Sequence, residues 1–581
     1  FPSRPLLSLA SPRVPRLSPP FNFQSFLIIK MKKQLLCALI IGATYTPSFA
    51  QPSPVKKAAQ SVFSLTTFKQ GNIIATTNGV FTANGEALSM WHPFVDADSA
   101  VVVDSKGNKY IVESLLGAND IYDLCKFRIK GKTAATPLAP KAIANGSKAW
   151  VVSYTVKKPE AHAIPVASTE AFMDSLTYYL FNDTDVSSSQ LGCPIVNDQG
   201  QLLGIMQRPK AGGRAYSADA RLSSQFKLTG LSLNDNTLRK CGIRTALPSN
   251  ANDAMVTLML ASQRGDSLLY TAYIDEFIST FPQLPDGYTA KAQQEMAGGH
   301  FAIAAKNMEI AIKNAERKDE AHSNYSKLIY QKMLYSNDSL YTAWTLDKAL
   351  QEAELAYSIN PQPAYRHQQA QIYYAKGDYQ KAYDTFMSLT TTDMRSGELF
   401  YEAAQCQRQL QAPDTTIIHL LDSAVAAQPR DITAAPFVLE RGLTYYRANK
   451  LRPAFIDFCQ YDSLMKGRGT HTFYYIKYQC ENKMHLYQQA LNDIAHAIVL
   501  NRAEPTYYAE MASVQLKVGQ NENAIQTTDL ALQVTDQDPD IFIIRGIAFG
   551  EMKQKDKALE ALNKAKALGD ERADKLIEKY K

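Results

Sequence analysis

The cysteines, which could bind metals or act as nucleophiles, are scattered along this sequence. Six cysteines follow Cys37, and no two of them form a CxxC pair or a repeating framework: Cys125, Cys193, Cys241, Cys406, Cys459 and Cys480. This spacing supports no metal site and defines no disulfide pairing, so isolated buried thiols are the favoured interpretation. No P-loop, GxGxxG after a strand, HExxH or EF-hand motif is present either. We therefore expect no metal and no cofactor.

Three segments between residues 60 and 225 instead combine polar residues with short apolar runs. The first is Leu88-Ser89-Met90-Trp91-His92 and the second is Tyr122-Asp123-Leu124-Cys125-Lys126-Phe127. The third is Ser189-Gln190-Leu191-Gly192-Cys193-Pro194-Ile195-Val196-Asn197. In their order and spacing, the three segments resemble trypsin-like serine proteases of the bacterial periplasmic type. The resemblance implies a trypsin-like double β-barrel.

The same resemblance places His92 at the catalytic histidine, Asp123 at the aspartate and Leu191 at the serine nucleophile. Leucine has no hydroxyl to attack a carbonyl, and removing a triad serine typically lowers the rate by about a million-fold. Ser189 is two residues away, up to about 7 Å along an extended chain, whereas reacting atoms must approach to about 3 to 3.5 Å. We therefore expect a degenerate, catalytically inactive domain in which His92 and Asp123 stabilise the fold.

The elements that would position these residues are short strands. Runs rich in β-branched and aromatic residues alternate with Gly, Asn and Asp turns such as Asn84-Gly85, which predicts strands joined by hairpins. The predicted strands cover residues 72–76, 79–82, 100–104, 109–113, 149–154, 194–197 and 202–207. The β region is expected to end near residue 225.

Long helices with an internal repeat are predicted after a connection over residues 226–255. The lead alanines Ala490, Ala524 and Ala558 stand 34 residues apart, and similar small-residue patterns begin at Ala304, Ala349, Ala382 and Ala454. One unit carries Ala370, Tyr373, Gly377, Tyr379, Ala382 and Phe386, and another Gly442, Tyr445, Ala454 and Phe458. This pattern closely resembles the tetratricopeptide repeat (TPR). Small residues let paired helices approach closely, and successive pairs bury a common core. We predict an all-α TPR solenoid over residues 256–581, closed by a polar C-terminal helix.

The TPR resemblance also implies a surface for a protein or peptide partner. The positions that commonly contact ligand in the first helix of each pair correspond to His367, Gln371, Tyr374, Tyr446, Tyr475, Gln479 and Asn482. Tyrosine, histidine and amide side chains suit an extended peptide or a partner helix. For each residue alone, a solvated or packing role is equally compatible with the sequence.

The first fifty residues are typical of a leader. Met31 opens a basic pair, a short apolar run over residues 35–43 and a small-x-small cleavage site, Ser48-Phe49-Ala50, as in secretory signal peptides. We expect residues 1–30 not to be translated and residues 31–50 to be removed as a signal peptide. The mature protein would then be periplasmic or secreted and would start with the β domain, residues 51–225. Six of the 62 basic residues and none of the 56 acidic ones lie in residues 1–50. The rest of the chain is nearly neutral, which disfavours nucleic-acid binding.

Two functions follow as hypotheses. The preferred one is an exported protein–protein interaction scaffold in which the helical array binds a partner and the inactive β domain is a second binding module. The alternative is an active trypsin-like peptidase whose repeats recruit substrate. No integral membrane segment is expected in the mature chain.

Overall fold

The computed structural model describes residues 51–155, 160–173, 175–183, 186–208 and 213–581. The predicted untranslated segment and signal peptide, residues 1–50, lie outside the described residues. The chain divides into two compact units after Gly287, which lies downstream of the predicted connection over residues 226–255.

In the described part of the first unit, a short helix α1 (Ser53–Ala58) precedes a closed barrel of six strands in the order β1-β2-β3-β6-β5-β4. The strands are β1 (Val62–Lys69), β2 (Asn72–Ala83), β3 (Glu86–Ser89), β4 (Ser99–Asp104), β5 (Lys109–Asn119) and β6 (Leu124–Ile129). Alternating residues point inward, and the barrel interior is filled by side chains such as Phe63, Leu65, Val102 and Phe127. This alternation is the period of two expected for strands with one buried face.

A seven-stranded sheet follows, in the order β8-β7-β11-β12-β13-β10-β9. Its strands are β7 (Lys148–Ser153), β8 (Glu160–Pro165), β9 (Ser168–Phe172), β10 (Leu176–Leu180), β11 (Pro194–Val196), β12 (Leu202–Gln207) and β13 (Tyr216–Asp219). The sheet is buried on both faces in its centre, because Trp150 and Val152 pack into one apolar cluster while Val151 packs into another. A strand buried on both faces is apolar at successive residues, as β12 is.

Two helices complete the first unit, α2 (Ala251–Ser262) and α3 (Ser267–Thr280). The chain before them returns to the barrel, where Leu115 exchanges backbone hydrogen bonds with Arg244 and Ala246. The Glu276 carboxylate of α3 pairs with Arg128 of β6 and with Arg244. Ion pairs therefore hold the helix on the barrel.

The second unit is helical from end to end. Its helices are α4 (Pro285–Ala297, which begins in the first unit), α5 (Phe301–Asn314), α6 (Lys318–Tyr335), α7 (Leu346–Ile359), α8 (Pro363–Lys376), α9 (Tyr379–Leu389), α10 (Gly397–Gln409), α11 (Asp414–Ala426), α12 (Ala435–Arg447), α13 (Leu451–Met465), α14 (His471–Lys483), α15 (Tyr487–Leu500), α16 (Pro505–Lys517), α17 (Asn521–Leu532), α18 (Pro539–Glu551), α19 (Lys555–Ala567) and α20 (Arg572–Tyr580). From α5 onward each helix packs against the next one in the chain, consistent with an α-solenoid. The predicted order, a β domain followed by an α-solenoid, is confirmed.

Small residues lie where the helices approach closely. The predicted lead alanines at 304, 349, 382, 454, 490, 524 and 558 are all fully buried. A Cβ added to Gly442 of α12 would lie 3.0 Å from side-chain atoms of Asp457 and Phe458 on α13, so a larger residue there would require these side chains to shift. Gly377 ends α8 in a left-handed conformation with φ of 85°, a common use of glycine at helix ends.

The remaining sequence-based expectations concern membranes, metals and cysteines. In the described residues, every helix is too short or too polar for a membrane span. No group of three or more His, Cys, Asp or Glu within the described ranges is arranged to hold a metal ion. The six described cysteines are unpaired; Cys459 is exposed and the other five are buried.

Candidate functional site

The His92 and Asp123 side of the β domain is built from two strand ends. His92 follows β3 in a single 3-10 turn (His92–Phe94) and is exposed to solvent. Asp123 precedes β6 and has a left-handed backbone with φ of 48°. Its carboxylate accepts a hydrogen bond from the His92 backbone N–H, with 2.6 Å between nitrogen and Oδ1. The structure thus brings together the two residues that the sequence had paired.

Gln207 holds the Asp123 segment from the second sheet. The Gln207 side-chain amide donates to the carbonyl oxygens of Tyr122 at 2.8 Å and Asp123 at 3.1 Å. Burial raises the pKa of the Asp123 carboxyl, while hydrogen bonds from the His92 and Trp91 backbone and the charge of His92 oppose that rise. Sequence reasoning missed Gln207, because nothing in the sequence marks it as a neighbour of Asp123.

Leu191 lies in the loop between β10 and β11. Its side chain is partly buried and packs against both apolar clusters of the second sheet. Its carbonyl oxygen accepts hydrogen bonds from the Asn78 backbone at 3.2 Å, the Asn78 side chain at 2.9 Å and the Thr77 hydroxyl at 3.1 Å. Within the described residues no hydrogen bond joins Leu191 to His92. The loop is therefore anchored on β2.

Two serines of this loop are hydrogen-bonded and its cysteine is buried, whereas Ser188 is exposed. The hydroxyls of Ser187 and Ser189 lie 2.9 Å apart in hydrogen-bonding contact, and the Ser187 hydroxyl also donates to Gln190. Cys193 is buried, and burial raises the pKa of its thiol to about 12. Since the thiolate is the reactive form of cysteine, Cys193 is inert near neutral pH.

An aromatic cluster adjoins Asp123 and was not anticipated from the sequence. Phe172 lies 4.5 Å from Tyr178 and 4.6 Å from Tyr122 between ring centroids, and Tyr178 also contacts Tyr216 at 6.0 Å. All four rings are partly exposed. Ile121, beside Tyr122, is 80% exposed. This aromatic cluster gives the β domain a partly exposed apolar surface beside the His92 and Asp123 pair.

The seven predicted partner-contacting residues of the helical unit are all partly exposed. His367 and Gln371 of α8 meet on Glu402 of α10, at 2.6 Å and 3.0 Å, while the Tyr374 ring contacts that of Tyr379. Their predicted role as partner contacts stays a prediction. The structure adds Glu402, which the repeat pattern did not single out.

The other four predicted residues lie on α12 and α14. The Tyr446 hydroxyl of α12 is 3.5 Å from Gln479 of α14, and Asn482 donates to the Tyr478 hydroxyl at 3.2 Å. The Tyr475 ring contacts that of Tyr507 on α16 at 4.8 Å. The predicted residues therefore lie on first helices of successive pairs, and His367, Gln371, Tyr446 and Tyr475 each contact the next first helix.

Comparison with known proteins finds partial structural likeness. No family model and no curated protein matches the sequence. The HtrA-type protease AlgW with tripeptide is 22% identical, with a TM-score of 0.27, over 31% of this chain and 62% of that chain. A variant of AlgW with tripeptide is 21% identical, with a TM-score of 0.26, over 30% of this chain and 60% of that chain. The serine endoprotease from Yersinia pestis is 17% identical, with a TM-score of 0.27, over 34% of this chain and 68% of that chain. The matched region thus spans 60 to 68% of the length of these proteases.

Proposed function

We propose that this protein is an exported protein–protein interaction scaffold. Its TPR-like helical array binds a partner protein or peptide, and its degenerate trypsin-like domain is a second, catalytically inactive binding module. The observation that carries the inactive assignment is Leu191, which stands at the nucleophile position of the protease-like motif and has no reactive group. Export is proposed from the leader over residues 31–50.

The surroundings of Leu191 support inactivity. The Leu191 side chain packs against apolar clusters, and the Cys193 thiol is buried. Without a nucleophile, residual catalysis from the rest of a protease site is about a million-fold below that of the intact triad. Peptide binding has no such requirement, since it depends on exposed apolar area and backbone hydrogen bonds.

The side chains of the helical face support partner binding. Tyrosines contribute large contact area at small entropic cost, and amides and histidines supply directed hydrogen bonds. The proposed contact surface is formed by His367, Gln371, Tyr374, Tyr446, Tyr475, Gln479 and Asn482, all of which keep part of their area open to solvent. This surface and the aromatic cluster of the β domain are the two proposed binding regions.

A fluorophosphonate probe tests the inactive assignment. We expect purified residues 51–581 to remain unlabelled, because the probe reacts only with an activated serine. Leu191→Ser supplies the missing hydroxyl, and specific labelling of that variant would support the assigned position. The matched control is the double variant Leu191→Ser, His92→Ala, in which labelling must be lost if His92 acts as the base.

Specific labelling of the parent β domain would refute the scaffold hypothesis and favour a peptidase whose repeats recruit substrate. Partner binding has a separate test, in which the mature protein and a Tyr475→Ala, Gln479→Ala variant capture proteins from the native cell envelope. A partner retained by the parent and lost by the variant identifies the helical face as the binding surface. Equal retention by both proteins would exclude these two residues.

A further inference from the structure

A buried charged cluster joins three consecutive helices of the second unit. Lys477 of α14 forms ion pairs with Asp462 of α13 at 3.2 Å and with Asp493 of α15 at 3.0 Å. Glu481, one helical turn after Lys477, is 1% exposed, and the neighbouring Asp493 carboxyl raises its pKa. The cluster therefore holds three carboxyl groups around a single ammonium group.

The Glu481 Oε2 atom has no hydrogen-bond partner among the described residues. A buried ionised oxygen without a donor carries a large desolvation cost. Two carboxyl groups in direct contact form a hydrogen bond only when one of them is protonated, because two carboxylates are acceptors alone. A neutral Glu481 avoids the desolvation cost of a buried charge. Its carboxyl hydroxyl also supplies the hydrogen that a bond between two carboxyl groups requires.

We propose that Glu481 and Asp493 hold one shared proton at neutral pH, and that loss of this proton at alkaline pH loosens α14 from its neighbouring helices. The helix junction is thus a proton-binding site built from two carboxyls. Ionisation of Glu481 would leave three carboxylates around the Lys477 ammonium in a largely buried site. Repulsion among them acts across both helix boundaries, because the carboxyls come from α13, α14 and α15.

The direction of the pH dependence follows from the burial of Glu481. Burial, the Asp493 charge and its hydrogen bond raise the pKa of Glu481 from 4.5 to about 9. The folded state therefore binds one more proton than the unfolded state between these two values. The stabilisation is complete below about pH 4.5 and is lost as pH rises toward 9, by up to about tenfold in the folded-to-open ratio per pH unit.

Other titratable groups face the same cluster and must be separated from Glu481. Burial raises the pKa of Cys480 to about 11 and also raises that of Cys459, so neither thiol accounts for a change between pH 6 and 8. The charged and titratable neighbours on the three helices are Asp462, Cys459, Lys477, Cys480, Lys483, Asp493 and His496, whose ring stacks on Tyr474. A comparison that changes Glu481 alone cancels their contributions.

The experiment measures opening of α14 in the mature full-length chain. Cys480 is fully buried next to Glu481, so its labelling by a thiol reagent, followed by mass spectrometry across a urea gradient, reports the opening of this helix. We expect the midpoint for Cys480 in the parent to fall steadily from pH 6 to pH 9. In Glu481→Gln, whose amide donates to Asp493 at every pH, the midpoint should stay nearly constant over the same range.

The matched control is Glu522→Gln, which removes an exposed glutamate from α17 and should leave the parental pH dependence intact. Parallel pH curves for the parent and Glu481→Gln would overturn the proposal. If Glu481→Gln does not fold, Asp493→Asn provides the second test, because its amide donates to Glu481 without a shared proton. That variant must also flatten the curve, and a parental slope would overturn the proposal equally.

A consequence for regulation rests on the proposed function. The helix α14 also carries Tyr475, Gln479 and Asn482 of the proposed contact surface, so deprotonation of Glu481 should weaken partner binding at alkaline pH. The proton site and the binding function can be refuted independently. A flat Cys480 curve contradicts the proton site, whereas a pH-dependent Cys480 curve with no captured partner contradicts only the binding function.

Discussion

Replacing Gly192 by alanine tests how the loop carrying Leu191 is held. Gly192 has φ of 75°, a left-handed conformation that residues with a Cβ rarely adopt. An added Cβ would also lie 2.6 Å from the Thr77 hydroxyl oxygen and 2.9 Å from the Asn78 carbonyl carbon. Because Asn78 is part of a barrel strand, we expect the loop to move rather than the strand.

The expected cost can be assembled from two contributions. The left-handed conformation costs an alanine about 1–2 kcal/mol. Displacement of the loop also breaks the three hydrogen bonds to the Leu191 carbonyl, from the Asn78 backbone, the Asn78 side chain and the Thr77 hydroxyl. At about 1 kcal/mol net for each bond, Gly192→Ala should destabilise the β domain by about 4–5 kcal/mol.

Gly146→Ala is the matched control. Gly146 has nearly the same φ, 76°, and an added Cβ there meets no atom within 4 Å. This variant should therefore lose only the conformational contribution, about 1–2 kcal/mol.

Urea unfolding followed by tryptophan fluorescence measures both variants in a Trp344→Phe background, which leaves Trp91 and Trp150 of the β domain as reporters. Equal destabilisation by Gly192→Ala and Gly146→Ala would refute the close packing of the loop against β2.

Two further predictions concern the helical unit. Phe458→Ala removes a fully buried ring and should lower the free energy of unfolding by about 3–5 kcal/mol, measured by circular dichroism at 222 nm in urea. The control Ile456→Ala changes a side chain that is 57% exposed and should alter stability by less than about 0.5 kcal/mol. Similar losses in the two variants would contradict the packing of α13. Hydrogen bonds from Asn360 and Tyr365 lower the pKa of Asp319 to about 2, so the stability it contributes is present above pH 4 and lost as pH falls toward 2. Asn360→Ala should shift acid unfolding to higher pH, and an unchanged acid midpoint would exclude this contribution.

The helical repeat was predictable because one physical requirement recurs along the chain. A position where two helix backbones approach closely admits only a small residue, and the alanines at 490, 524 and 558 mark that position at each 34-residue interval. Their full burial agrees with this reason. The repeat pattern describes contacts within a helix pair and between neighbouring pairs. Local sequence was therefore sufficient to predict the solenoid.

The β domain was predicted less completely. All seven predicted strand segments lie in or overlap observed strands, yet strands such as β9 (Ser168–Phe172) were missed. The sequence of β9 lacks an apolar alternation, and this strand is stabilised by its pairing with β10. The same limit applies to Gln207, whose contact with Asp123 joins residues 84 positions apart. Pairings over such distances follow from the assembled sheets rather than from any local pattern.

The hydrogen bonds among the first helices restrict what can bind on their shared face. Glu402 accepts from His367 and Gln371, Glu440 pairs with Arg408, and Glu510 accepts from Tyr478. A ligand that withdrew one of these donors would leave a carboxylate unpaired, at a cost of about 1–3 kcal/mol for each lost bond to a charged group. Under the proposed function, a partner must therefore leave these hydrogen bonds and ion pairs intact, or supply hydrogen-bond donors of its own. An extended backbone or an amide-rich helix supplies such donors.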